Sequence, residues 1–171
     1  MKLATWNVNS LAVRLPQLLA WLEQQQPDVL VLQETKLTDD KFPAAEIEAA
    51  GYQVSFHGQK TYNGVALLTR AAHDAVQRNL PGFADEQARL IAASVAGVRV
   101  IGAYFPNGQE PGSDKFAYKL RWMDALRDWL RAELATHPQL VLMGDFNIAP
   151  EDRDVYDPVA CAGQIHCTDE E

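Results

Sequence analysis

Asn7, Glu34, Asp145 and Asn147 are the residues of this chain whose types and positions could do chemistry together. Asp145 and Asn147 lie in the segment Gln139-Leu-Val-Leu-Met-Gly-Asp-Phe-Asn-Ile-Ala-Pro150, where the apolar run Leu140–Met143 reads as a strand buried on both faces and Gly144 ends it. Alternate residues of an extended chain point the same way, so this carboxylate and carboxamide can face one point in space. A second apolar run, Pro27–Gln33, delivers Glu34, and a third, Met1–Trp6, delivers Asn7. Oxygen donors of this kind suit a hard cation such as Mg²⁺, which keeps several waters and takes one or two carboxylates. Ligand sites of open α/β sheets gather at the carboxyl ends of strands, so the strand ends together read as one metal site. Singly, each residue has a plainer reading: Glu34 as a structural ion-pair partner, Asn7 as a turn residue. Tyr104 ends a further apolar strand and would bring a phenol to the same rim; the plainer reading is a half-buried aromatic.

The elements that must position these side chains follow from periodicity. Lys2–Trp6 reads as a strand, and Leu11–Gln25 as an amphipathic helix with Leu15, Leu18, Leu19 and Leu22 on one face. The strand Asp28–Gln33 follows, so the unit suggests a parallel crossover. Pro43–Ala50 reads as a short helix closed by Gly51, and Tyr52–His57 and Gly64–Thr69 as strands. Arg89–Val95 and Val98–Tyr104 form a hairpin about Ala96-Gly97. Ser113 can cap a long helix reaching about Ala135, with Phe116, Leu120, Leu126, Leu130 and Leu134 toward the core. Its Lys115, Lys119, Arg121, Arg127 and Arg131 read as a solvated face, while Trp122 and Trp129 read as packing residues. Crossover and hairpin together indicate an α/β fold with a mixed sheet and flanking helices.

The 171 residues amount to one domain or part of one, and 47% hydrophobic residues permit a core. No apolar stretch approaches a membrane span and no signal peptide is read, so no membrane is expected. Cys161 and Cys167 read as reduced thiols of a cytoplasmic protein. A net charge of −8 argues against general attraction to nucleic acid, so a phosphate-bearing substrate needs a local basic patch or a bound metal.

Five blocks now resemble, in family order, those of the exonuclease III family of AP endonucleases: Ala4-Thr-Trp-Asn-Val-Asn-Ser10 with Arg14; Gln33-Glu-Thr-Lys36; His57-Gly-Gln-Lys-Thr-Tyr-Asn-Gly-Val-Ala66; Tyr104-Phe-Pro-Asn-Gly108; and Gly144-Asp-Phe-Asn-Ile-Ala-Pro150. The second and fifth are shared with the wider superfamily that includes DNase I; the third and fourth are more specific to this branch. Ser10 stands where the family often has Gly. The resemblance implies half of a four-layer α/β sandwich of the DNase I-like kind. It implies a Mg²⁺-dependent (or Mn²⁺-dependent) phosphodiesterase of base-excision repair, acting on duplex DNA at abasic sites and trimming 3′ ends as a 3′-to-5′ exonuclease. Glu34 would be the principal metal carboxylate, with Asn7 orienting it or its waters, and Asp145 and Asn147 completing the metal set. In catalysis, Asp145 would handle the proton of the attacking water or leaving oxygen, Asn147 would hold a phosphate oxygen, and Tyr104 would hydrogen-bond the phosphate or attacking group. Lys36, Lys60 and Asn107 would contact DNA.

The family pattern continues to a terminal Asp-His pair that these residues do not match. None of His57, His73, His137 and His166 sits in an Asp-His context, and His166 reads as an exposed loop histidine. Residues 1–171 are therefore expected to form a single, C-terminally incomplete domain, weakly active or inactive, whose partner is the missing C-terminal half of its own fold. A sheet lacking its partner would expose a face meant for the core. Thr168 and the acidic residues after it read as the start of a helix. Two other readings stay open: a non-catalytic DNA-binding or interaction module, and a phosphodiesterase on a non-DNA substrate.

Overall fold

The computed structural model describes residues 1–171. In chain order the elements are β1 (Leu3–Asn7), α1 (Leu11–Gln25), β2 (Val29–Gln33), α2 (Ala44–Ala49), β3 (Gln53–His57), β4 (Val65–Thr69), β5 (His73–Arg78), β6 (Leu90–Val95), β7 (Val98–Tyr104), α3 (Asp114–Thr136), β8 (Leu140–Asp145) and α4 (Pro158–Cys161). They build two four-stranded mixed sheets, ordered β1-β2-β4-β3 and β5-β6-β7-β8. β1 and β2 run parallel through α1, and β7 and β8 run parallel through α3.

Burial on both faces explains the unbroken apolar runs of β2 and β4. Val29, Val31, Val65 and Leu67 face Ile91, Ala93, Val95 and Val100 of the second sheet. Their neighbours Leu30, Leu32, Ala66 and Leu68 face Leu11, Leu18 and Leu22 of α1 and Ile47 of α2. On the other side, Trp122 and Leu126 of α3 cover Leu90, Ala92, Ile101 and Ala103. The result is helix, sheet, sheet, helix, each layer burying its apolar stripe on the next. At Gly102 a Cβ would stand 2.3 Å from Val31 Cγ1, so the sheets close on a residue without a side chain. No helix is long and apolar enough to cross a membrane.

Several expectations are corrected. The inner faces of the two sheets cover each other at their centres, and the openness lies at the edges. β8 is not buried on both faces: all its residues are only partly buried, because its sole sheet partner is β7. β1 is likewise an edge, with Thr5 exposed, and the two edges meet where Leu3, Val141 and Met143 pack on one cluster. β5 carries a polar sequence that gave no strand signal, as befits an edge strand with a register shift between Asp74 and Gln77. Leu134 is exposed and does not join the core. Thr168, by contrast, carries the bonds expected of a helix start: its N–H and hydroxyl donate to the Glu171 carboxylate, and the Glu171 N–H donates back to Thr168 Oγ1, the reciprocal pair of a capping box.

Candidate active site

Strand register brings the chemistry-bearing residues to one rim. Asn7 is level with Gln33 in the β1–β2 ladder, and Tyr104 is level with Asp145 in the β7–β8 ladder. Glu34 follows β2 directly and adopts the left-handed conformation, φ 54°. Asn9, Lys36, Asn63 and Asn147 share that sparsely allowed region, with φ between 41° and 55°. Left-handed non-glycine residues concentrate where surrounding bonds over-determine the backbone, often at functional sites. Those bonds are present: Ser10 N–H donates to Glu34 O at 2.8 Å, Thr35 N–H to Gly64 O at 3.2 Å, and Lys36 N–H to Asn63 O at 3.0 Å. Gly64 is required here, because a Cβ would meet Thr35 Oγ1 at 2.1 Å.

At the centre, the Asn7 carboxamide donates to Glu34 Oε1 at 2.8 Å and to Asp145 Oδ2 at 2.7 Å. Its own oxygen accepts from Asn9 N–H at 3.0 Å, which fixes the amide's orientation. Lys36 Nζ pairs with Glu34 Oε2 at 2.9 Å and also reaches Asn9 Oδ1. Partial burial acts to raise the Glu34 pKa, but hydrogen bonds from Asn7 and Lys36 and the Lys36 charge outweigh it and hold the carboxyl below 4.5. Tyr104 is pushed up to about 12, first by burial and then by the adjacent Glu34 carboxylate. It therefore remains a phenol, able to donate. The Arg89 guanidinium lies 5.1 Å from its ring centroid and donates to its carbonyl at 3.3 Å.

Asn147 reaches the site by a different route from the extended alternation expected. With φ 47° it turns back, and its N–H donates to Asp145 Oδ1 at 3.1 Å. Its carboxamide donates to Phe105 O at 3.0 Å and accepts from Asn107 Nδ2 at 3.4 Å, tying the loop after β8 to the loop after β7. The structure thus joins Asn7, Glu34, Lys36 and Asp145 in one hydrogen-bonded group, with Asn107 and Asn147 as its flank. Lys60 stands exposed on the loop before β4.

Two neighbours were misread from sequence. His166 is half-buried: Nδ1 lies against Asn147 O and Nε2 is 3.2 Å from Asn107 Nδ2. No motif marks it. Lys119 is fully buried, and its Nζ donates to Asn147 O at 2.6 Å. A signal for Lys119 does exist, since it falls on the helical stripe of Phe116, Trp122 and Leu126.

The carboxylates of Glu34 and Asp145 could hold a divalent cation. Each of their oxygens carries one of the hydrogen bonds above, which leaves further lone pairs for a hard ion. Residues 4–167 match the model of the Endonuclease/Exonuclease/phosphatase family. The chain belongs to that family. Its resemblance to the exonuclease III branch is borne out by relatives. Exodeoxyribonuclease III of Haemophilus influenzae is 38% identical, over 91% of this chain and 60% of its own length. A solved 3′ phosphatase from Neisseria, NExo, bound to a product DNA hairpin, is 51% identical with a TM-score of 0.97, covering 99% of this chain and 66% of that one. An AP endonuclease from Archaeoglobus fulgidus is 37% identical with a TM-score of 0.95, covering 99% of this chain and 66% of that one. The chain thus spans about two thirds or less of the length of these relatives.

Proposed function

We propose that this chain is the metal-binding catalytic portion of a divalent-cation-dependent DNA phosphoesterase that removes groups from 3′ ends and incises duplex DNA at abasic sites. The observation that carries the reading is the Asn7 carboxamide bridging Glu34 and Asp145, which draws β1, β2 and β8 into one oxygen-lined centre. A purely structural role gives no reason to hold two carboxylates together at an open rim, where like charges repel. The Neisseria relative supports 3′-end chemistry and the Archaeoglobus relative supports abasic-site chemistry.

Mg²⁺ or Mn²⁺ would be held by Glu34 and Asp145, with Asn7 and Asn147 beside them; when bound, the ion supplies positive charge against the phosphate as charge develops. Asp145 takes the proton of the attacking water or returns one to the leaving oxygen. The Tyr104 phenol, protonated at working pH, donates to the phosphate, and the Asn147 carboxamide holds a second oxygen. Lys36 is already paired with Glu34, so its charge serves the site while Lys60 and Asn107 meet the DNA. A centre of this kind offsets substrate charge locally, as a chain of net charge −8 requires.

The same proposal treats residues 1–171 as part of one domain, with the adjoining open edges of β1 and β8 covered by further strands of its own fold, in a cytoplasmic repair enzyme. The greater length of the relatives supports it. The deciding assay uses a hairpin bearing a 3′ phosphate and a duplex with one abasic site, with Mg²⁺ or EDTA, beside Asp145→Ala. Metal-dependent phosphate release or incision, lost in the variant, is expected. Activity surviving in EDTA, or equal in the variant, would sink the assignment.

A further inference from the structure

We infer that Lys119 is a positioning residue, whose buried Nζ fixes the two loops that carry Asn107 and Asn147. The role deepens the catalytic reading above and rests on it. Lys119 is fully buried on an apolar stripe, where a methionine of similar length would pack without any polar atom to satisfy. What it gains there is specific. An ammonium offers three donors and no acceptor. These go to Asn147 O at 2.6 Å, to Asn107 O at 3.4 Å, and to the Glu171 carboxylate.

Two of those partners are main-chain carbonyls from different loops. One loop follows β7 and the other follows β8, and the rigid helix α3 supplies the post between them. Asn147 is left-handed, so the direction of its carbonyl is set with its φ, and a bond to that oxygen helps hold the residue there. Its carboxamide is then aimed at Phe105 O and Asn107. Gly108 completes the fit: a Cβ there would stand 3.0 Å from Lys119 Cδ and 2.8 Å from Ile165 Cδ1. The loop after β7 therefore runs close over the lysine stem. Burial opposes the charge of Glu171, yet hydrogen bonds from Lys119 and Thr168 keep its carboxyl below 4.5. The ion pair thus closes the third side of the arrangement.

The test compares the full chain with Lys119→Met and Lys119→Gln by amide hydrogen exchange and by kinetics on the 3′-phosphate hairpin. Amides of residues 105–109 and 145–149 should exchange at least about tenfold faster in Lys119→Met, and less so in Lys119→Gln, while the β6–β7 hairpin is unchanged. Unaltered loop exchange in both variants overturns the inference. If Lys119→Met does not fold, Lys119→Gln decides alone by the same criterion. In kinetics, kcat should fall roughly 10–100-fold with KM nearly constant, as expected when reacting groups are displaced by about an ångström. A raised KM with kcat intact would also overturn it. A wild-type chain that binds no Mn²⁺ refutes the proposed function; one that binds it but releases no phosphate is the incomplete domain expected, and in either case loop exchange decides the role of Lys119.

Discussion

Asn7 and Asp145 are separated by 138 residues in the chain, yet they share a 2.7 Å hydrogen bond across the open edges of two different sheets. The same amide group serves Glu34, so one neutral side chain holds two carboxylates in place before any cation arrives. Asn7→Ala removes that shared donor and leaves the carboxylates to repel. Groups that orient metal ligands in this way are worth about 10–100-fold in affinity. Titration of Mn²⁺ by calorimetry should show a loss of that size. An unchanged affinity would mean that Asn7 is a structural tie only.

The sequence made the strand ends legible because burial on both faces leaves unbroken apolar runs, as in β2 and β4, and the polar residue that breaks a run is then conspicuous. Glu34 was visible for that reason, and Asp145 because it too closes an apolar run, although β8 is only partly buried. Edges defeat the same logic. β8 is apolar but only partly buried, and β5 is polar yet paired, since an edge strand has one neighbour and little to cover. Lys119 was hidden by its residue type. A lysine on a helix is ordinarily solvated, and only the spacing from Phe116 to Trp122 argued otherwise. His166 lies in a loop, where no periodicity constrains the reading.

Glu34 should couple acidity to stability. Its folded pKa lies below 4.5, with burial opposed by the hydrogen bonds from Asn7 and Lys36, so folding favours the ionised form. The stabilisation is present above the unfolded pKa and is lost as pH falls through the folded value. Glu171 is shifted in the same direction and adds to the slope. Thermal melts recorded from neutral pH downward should therefore fall less steeply below about pH 5 in Glu34→Gln, with the Glu171 share remaining. Parallel curves for the two proteins would refute the assigned shift.

Tyr104 gives the opposite sign. With its pKa pushed up to about 12, the phenol stays protonated beyond the point at which a free tyrosine ionises. The kinetic pH profile should show no loss of activity near pH 10 that Tyr104→Phe removes. The variant keeps the ring beneath Arg89 but loses the donor, so kcat should drop about 10²–10³-fold, the usual loss for one donor to a developing oxyanion. The melting temperature at neutral pH should change little. A variant retaining full activity would assign Tyr104 to packing.

Gly144 has a stricter requirement than any side chain around it. It pairs with Ala103 in the parallel ladder of β7 and β8, at φ 150°, and a Cβ there would lie 1.9 Å from Ala103 O. The obstacle is backbone, so no rotamer change relieves it. Gly144→Ala must push β8 away from β7 or break the ladder at its last pairs, and Asp145 is the next residue. Strain of this kind costs roughly 2–4 kcal/mol, and it falls where Asp145 leaves the sheet. Chemical denaturation should show that loss, and Mn²⁺ titration of the folded fraction should show weakened binding. Gly82→Ala provides the control: Gly82 also has positive φ, at 76°, but no atom lies within 4 Å of its Cβ position. It should lose the left-handed penalty alone, about 1 kcal/mol, with metal affinity intact. Equal effects on metal binding in the two variants would show that strain anywhere, and not the close approach of β7, governs the site.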